Sequence, residues 1–237
     1  MDKFFGTSNS TQENGEHWLT VSDLMAGLMM VFLFIAIVFM MNTQKKNDKI
    51  KDVAVAYQQN QVAIYEALQT EFKNDLNKWG ATIDKETLAF NFQSPDVLFA
   101  NNETTLSDAY KNILNDFFPR YIDVLRPYRE SLNEIRIEGH TSSAGLRGSS
   151  ESQAYFYNMR LSQGRTRAVL EYAYGLMPDE TSWIKANIAA VGFSSSRLIM
   201  KDGVEDAAQS RRVSFREGAN KSYGTRAFTG NPLILND

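Results

Sequence analysis

The segment Leu24–Met41 reads LMAGLMMVFLFIAIVFMM and contains no charged and no strongly hydrogen-bonding side chain. It is apolar on every face, unlike the one-sided apolar stripe of a helix that covers a soluble core. Counted from Trp18, the segment has 24 residues. As an α-helix it would extend about 36 Å, enough to cross a hydrocarbon layer of ~30 Å. The sequence therefore predicts one transmembrane helix over residues 18–41.

The residues on either side of this span favour a membrane anchor that is not cleaved. Residues 1–17 carry more acidic than basic side chains, whereas a signal peptide begins with a positive region. No small-residue cleavage site follows Met41. The lysines that follow the span outnumber those that precede it. This bias by itself predicts that the C-terminal side is cytoplasmic. The lysines are Lys45, Lys46, Lys49 and Lys51 after the span, against Lys3 before it.

Asp23 lies at the start of the span. If the membrane begins at Trp18, the carboxyl group lies about 7.5 Å inside it, where an acid is costly and by default functional. If the membrane begins at Leu24, Asp23 is interfacial and costs little. Ala26 and Gly27 follow, and small residues there would let another helix approach closely. The residues alone leave both interpretations open.

The run TVSDLMAGLMMVFLFI resembles the transmembrane helix of the MotB family, the B subunits of ion-driven rotary stators. In that family an aspartate at the position of Asp23 carries the translocated ion. The resemblance implies that Asp23 carries H⁺ or Na⁺, with H⁺ expected, and that no other cofactor is needed. It also implies a dimer of this chain inside a pentameric ring of a polytopic, MotA- or ZorA-like A subunit.

The longer run HWLTVSDLMAGLMMVFLFI looks most like the B subunits of the Zorya anti-phage defence system. That resemblance implies a motor whose rotation signals to cytoplasmic effectors that attack phage DNA. This chain itself is not expected to contact nucleic acid. A flagellar stator and a passive peptidoglycan-binding membrane anchor remain the alternatives.

Residues 42–85 are polar, with apolar side chains at helical spacing. The pattern fits either a two-stranded coiled coil or a helix packed on the following domain. Gly80 is expected to end the helix. The stripe consists of Ile50, Val53, Tyr57, Tyr65, Leu68, Phe72, Leu76 and Trp79.

The rest of the chain alternates strand and helix patterns, which predicts an α/β two-layer sandwich. One helix should run from a cap at Ser107 to about Leu125 and stop before Pro127. Another should run from about Tyr155 to Tyr174 and end at Gly175. Strands are predicted at residues 87–92, 135–139, 188–192 and 212–216.

One face of the second helix could bind a ligand. Asn158, Leu161 and Arg165 are spaced i, i+3, i+7 and share that face. The Arg165 guanidinium can fork onto a carboxylate, and the Asn158 amide can both donate and accept. The loop after Gly139 follows a strand end and could reach the same spot. A ligand with carboxylate and amide groups would suit this arrangement, although a solvated surface arginine is the simpler alternative for Arg165.

Four fragments, IRIEGHTSSAG, YNMRLSQGRTRAVLEY, AAVGFSSS and AAQSRRVSF, together resemble the OmpA-like peptidoglycan-binding domain. The match covers about Thr87 to Glu217. The resemblance implies that the domain binds the peptide stem of peptidoglycan. The implied binding residues are Tyr157, Asn158, Leu161, Arg165, Thr141, Ser142 and Arg212.

Two positions depart from the family pattern. Where the family usually has an aspartate that pairs with the amine of the diaminopimelate stem, this chain has Ser142. Three alternatives are open: lower ligand affinity, compensation by another acid such as Glu151, or loss of binding by the whole domain. The family's asparagine before the paired arginines is Ser210 here.

Composition excludes several classes of function. The chain has 25 basic and 28 acidic residues, a net charge of −3, which is not the balance of a nucleic-acid-binding protein. There is no cysteine, so a thiolate metal site and a cysteine nucleophile are excluded. His140 is expected to be structural. No set of nucleophile, base and orienting group is evident, so the chain is not expected to be an enzyme or to bind a metal.

These observations predict a cytoplasmic segment at 1–17, the transmembrane helix at 18–41, a helical linker at 42–85, an OmpA-like domain at 86–217 and a tail at 218–237. Peptidoglycan lies outside the bacterial inner membrane. A domain that binds it must be periplasmic, with the N-terminus in the cytoplasm. The domain resemblance is preferred here over the lysine bias, because charge near a span biases orientation without compelling it.

Overall fold

The computed structural model describes residues 10–93, 98–100 and 103–219. The first nine residues of the predicted cytoplasmic segment and the tail from residue 220 lie outside this range. The chain divides into two compact units, residues 1–52 and 53–237. Helix α1 (Ser10–Phe72) contributes to both.

The first unit contains the predicted membrane span. Among the described residues, one helix is long and apolar enough to cross a membrane. The side chains of residues 21–41 are all exposed. Exposure of so large an apolar surface to water is unfavourable, whereas contact with lipid is favourable.

The second unit is built on a five-stranded sheet in the order β1-β2-β7-β3-β4. β3 and β4 are parallel, and the other pairs are antiparallel. Helix α4 packs on β3 and β4, and α3 packs beside α4, so the predicted two-layer sandwich is confirmed. The bounds are α2 Leu76–Trp79, β1 Ala81–Ile83, β2 Phe90–Gln93, α3 Asp108–Leu125, β3 Leu132–His140, α4 Glu151–Leu176, α5 Thr181–Asn187, β4 Ile188–Gly192, β5 Met200–Lys201, β6 Val204–Glu205, α6 Ala207–Ser210 and β7 Arg212–Ala219.

The end of α1 packs on this sandwich. Ile64, Leu68 and Phe72 recur every four residues and are buried. The Phe72 ring meets the ring of Phe90 edge to face at 5.3 Å. The packed-helix alternative is therefore the correct one for this part of the linker. Tyr57, about two helical turns before Ile64, is 37% exposed.

The first predicted strand was placed too early. β2 begins at Phe90, because Asp84 accepts hydrogen bonds from the backbone of Glu86 and Thr87 and forms a turn there. Leu88 has a φ of 53°, which a strand does not permit. Strand β1 was not predicted, since three residues are too few to show alternation. Gly80, with a φ of 59°, ends α2 as expected.

The bounds of α4 also differ from the prediction. It begins at Glu151, because Ser150 and Gln153 form a capping box. It continues through Gly175 to Leu176, so Gly175 does not end it. The helix predicted from Ser107 is confirmed, and the Ser107 hydroxyl accepts from the backbone N–H of Tyr110 at 3.0 Å.

Two paired glycines set the distance between α4 and the sheet. Gly139 on β3 lies opposite Gly192 on β4. A Cβ at Gly139 would lie 2.7 Å from the backbone oxygen of Ser162, and one at Gly192 would lie 2.6 Å from the backbone nitrogen of Gln163. Only glycine permits this approach, which lets the Ser162 hydroxyl accept from the Ser194 N–H at 3.1 Å.

We expect Gly139→Ala to destabilise the domain by about 1–3 kcal/mol, because the added methyl group meets backbone that cannot move alone. Chemical unfolding of the full chain in detergent, followed by near-ultraviolet circular dichroism, measures this. Gly175→Ala is the matched control, since a Cβ there would have no atom within 4 Å. Equal stability of the two variants would show that α4 tolerates a wider spacing.

Glu217 on β7 is a buried acid in the core. It is 8% exposed, and neither carboxyl oxygen has a hydrogen-bond partner among the described residues. Burial raises the pKa of Glu217 to about 8 from its ordinary value of 4.5. Its protonated form is therefore favoured in the folded domain.

The contribution of Glu217 to the stability of the domain should therefore fall as the pH rises from about 4.5 towards 8. In this range Glu217 is ionised in the unfolded chain but stays protonated in the folded chain. The free energy of unfolding therefore decreases by at most roughly 1.4 kcal/mol per pH unit. Glu217→Gln should remove this component of the pH dependence. Unfolding free energies of both proteins at pH 5, 6, 7 and 8 provide the comparison, and parallel profiles would contradict the prediction.

Candidate functional site

The loop that follows β3 is fixed from two sides, by Ser194 after β4 and by Asn158 on α4. The Thr141 backbone N–H donates to the Ser194 carbonyl at 2.9 Å. The Asn158 side-chain amide on α4 donates to the carbonyls of Ser142 at 3.2 Å and Ala144 at 2.9 Å. Thr141 and Ser142 are 5% and 4% exposed. Three of the predicted site residues, Thr141, Ser142 and Asn158, are thus brought together.

Asn158 is used differently from the simplest expectation. Both of its N–H donors are committed to the loop, so only its side-chain oxygen remains to accept from a ligand. The Thr141 hydroxyl is buried beside it and has no partner among the described residues. Asn158 therefore shapes the loop.

Arg165 fixes a second loop. Its side chain is almost fully buried, and Nε donates to the Glu103 carbonyl at 2.9 Å. The guanidinium lies over the ring of Phe99 at 4.8 Å. The neighbouring Gly164 permits this approach, because a Cβ there would lie 2.5 Å from the Thr104 methyl group. Two loops therefore flank α4, one fixed by Asn158 and one by Arg165, about 10 Å apart along the helix.

Tyr157 and Leu161 lie on the same helix and are half-buried. The Arg160 guanidinium lies 5.6 Å from the Tyr157 ring. Part of the surface of each side chain is therefore accessible. Their ligand role stays a prediction.

Arg212 begins β7 directly opposite His140. Its guanidinium donates to the Ser210 carbonyl at 3.2 Å and to the Arg197 carbonyl at 3.4 Å. Burial lowers the pKa of Arg212. Arg212 therefore lies at the end of the sheet where β3 leads into the Thr141 loop. Part of its hydrogen-bonding capacity is used by the carbonyls of Ser210 and Arg197.

A polar cluster that the sequence did not reveal supports this edge. Glu138 Oε2 lies 3.4 Å from His140 Nε2 and accepts from Arg197 at 3.1 Å. The Phe193 ring stacks between the His140 imidazole, at 5.3 Å, and the Arg197 guanidinium, at 3.7 Å. The spacing of Glu138 and His140 along one strand face was the available signal, but Arg197 is remote in sequence.

Burial lowers the pKa of His140, and it outweighs the opposing hydrogen bond to Glu138. Burial alone would raise the pKa of Glu138, but the hydrogen bond with His140 and the Arg197 charge bring it below its usual value. At neutral pH a neutral His140 therefore donates to an ionised Glu138. This arrangement supports the structural role expected for His140.

The acid in contact with the site loop is Glu205. The Ser143 N–H donates to Glu205 Oε1 at 3.0 Å, and the Ser143 hydroxyl donates to Oε2. Glu151, the acid suggested from the sequence, is exposed in the first turn of α4. Glu205 lies 62 residues from Ser143 in the chain, so no local pattern could indicate it. Within the described ranges, no group of three His, Asp or Glu side chains could hold a metal ion.

Comparison with known proteins identifies the family. The OmpA family profile matches residues 98–212, which include both loops, α4 and the start of β7. The Zorya protein ZorB of Escherichia coli is 50% identical over 230 residues, covering 95% of this chain and 98% of that protein. The chain belongs to the ZorB family. The resemblance to OmpA-like and Zorya proteins is thereby confirmed.

A solved structure supports the fold of this ZorB-family chain. A MotB-like protein from Desulfovibrio vulgaris superposes with a TM-score of 0.52 at 22% identity. The match covers 70% of this chain and 94% of that one. At this identity the likeness concerns the fold alone.

Proposed function

We propose that this chain is the B subunit of a proton-driven rotary motor that is anchored to peptidoglycan and acts in anti-phage defence. The observation that carries the proposal is Asp23 at the start of an apolar span, in a chain half identical to a Zorya protein over nearly its whole length. Placing an acid in a membrane span costs free energy, so such an acid is by default functional, for example as the binding site of a translocated ion. The chain acts without catalysis of its own.

The motor half of the proposal places Asp23 within a ring of A subunits. Two copies of this chain would present their Asp23 carboxyl groups to a pentameric A subunit. Each charge that crosses a potential of 100 mV releases about 2.3 kcal/mol, which drives rotation of the ring. Rotation would then signal to cytoplasmic effectors.

The anchor half of the proposal assigns peptidoglycan to a site along α4 between the two loops. Tyr157 and Leu161 would form its apolar wall, and Arg165 would meet a stem carboxylate. Thr141, Ser142 and Arg212 would contribute from the sheet edge. Peptidoglycan is periplasmic, so the N-terminus would be cytoplasmic and the span would cross the inner membrane once. A flagellar stator would share this chemistry, whereas a passive anchor would not need Asp23.

Asp23→Asn should abolish protection, since the amide cannot bind and release a proton. The experiment is plaque formation by phage on cells that express the complete defence operon at equal protein level. Asp48→Asn is the matched control, an exposed acid further along α1. Unchanged protection by Asp23→Asn would leave only the passive anchor. Lack of protection by the wild type, with motility dependent on Asp23, would favour the flagellar alternative.

Arg165→Lys should reduce binding to purified peptidoglycan sacculi by about tenfold or more, because lysine keeps the charge but loses the planar fork. Co-sedimentation of the full chain in detergent measures this. Arg167→Lys on the exposed side of α4 is the control and should bind as the wild type does. Equal binding by all three proteins would refute a ligand role for Arg165.

A further inference from the structure

Within the described residues, the site combines two positive groups, Arg165 and Arg212, with one acid, Glu205, that forms hydrogen bonds with its loop. The predicted binding residues include Arg165 and Arg212 but no acid. A peptide stem that carries a free ammonium group besides its carboxylates leaves that ammonium without a partner. Removing an unpaired charge from water is costly, so a site for such a ligand needs a carboxylate close by.

Glu205 has the geometry for this role. Its two oxygens each accept one hydrogen bond from Ser143. A carboxylate offers about four lone-pair positions, so each oxygen can accept one further hydrogen bond. The side chain is half-buried, and within the part of the chain that the structure describes it forms no ion pair. Its charge is therefore available to a ligand.

The backbone of Glu205 is fixed before any ligand arrives. Strands β5 and β6 form a hairpin whose turn contains Asp202 and Gly203, both at positive φ. At its base, the Asp206 N–H donates to the Ile199 carbonyl at 2.8 Å. The Asp206 side chain caps α6, and Ser210 in turn accepts from the Ile199 N–H at 2.9 Å. Such prior ordering lowers the entropic cost of binding.

We propose that Glu205 determines ligand specificity by binding the free ammonium group of the peptide stem. This inference rests on the proposed peptidoglycan binding. The carboxylate of Glu205, from a distant segment of the chain, would lie next to Ser142. The position is suitable because Glu205 is attached to Ser143, the next residue after Ser142.

The test uses two synthetic stem peptides, one with a free side-chain ammonium group and one in which that amine is acetylated. Binding of each to the full chain in detergent is measured by calorimetry. The wild type should prefer the free amine by about tenfold or more, because acetylation removes the charge from the hydrogen bond with Glu205. Glu205→Gln should remove the preference, so that the two peptides bind with equal affinity. Glu151→Gln is the control and should keep the preference.

A purely structural role for Glu205 predicts a different result. Glutamine can still accept from the Ser143 N–H, so a loop that only needs this bond would bind both peptides as before. A loop weakened by the substitution would lose affinity for both peptides equally. Either result overturns the proposal. Adding Ser142→Asp to Glu205→Gln should restore the preference, because it returns a carboxylate to the adjacent position.

The outcome also separates this inference from the proposed function. A wild type that binds both peptides with equal affinity would refute the role of Glu205 and leave peptidoglycan binding in place. A wild type that binds neither peptide nor sacculi would refute peptidoglycan binding, and the inference would fail with it.

Discussion

The close contact between α4 and the sheet is the constraint on which the site depends. Gly139 and Gly192 face each other across β3 and β4, and neither position has room for a side chain beneath α4. This spacing brings Asn158 within hydrogen-bond distance of the loop that leaves β3. Gly164 acts likewise on the other side, where Arg165 reaches the Glu103 carbonyl. The two loops of the site are therefore positioned by the packing of one helix.

The sequence predicted what local patterns encode. The membrane span follows from a continuous apolar run, and the cap at Ser107 follows from residue type. The site residues on α4 follow from helical spacing. Gly175 misled because a glycine can be accommodated inside a helix when tertiary packing sustains it, as the helix continues to Leu176. The position of a loop residue could be predicted only from the strand or helix next to it in the sequence.

What the sequence could not provide depends on contacts between distant segments. The stack of His140, Phe193 and Arg197 joins a strand end to the loop after β4. Glu205 reaches Ser143 through a hairpin that carries no motif. The choice between a coiled coil and a packed linker also required the three-dimensional core, because Leu68 and Phe72 of the predicted stripe fit either arrangement by spacing alone. The sequence therefore did not indicate charge and packing partners that lie far apart along the chain.

A carboxylate supplied by a hairpin differs physically from one supplied by the loop itself. An acid at position 142 would move with the loop, whereas Glu205 is attached to the loop by two hydrogen bonds and to the domain by its own backbone. The same two bonds order the loop, so ligand charge and loop order are coupled. In the proposed dimer, binding at the first site would raise the local concentration of peptidoglycan for the second. Modest affinity at each site would then suffice for the proposed anchoring.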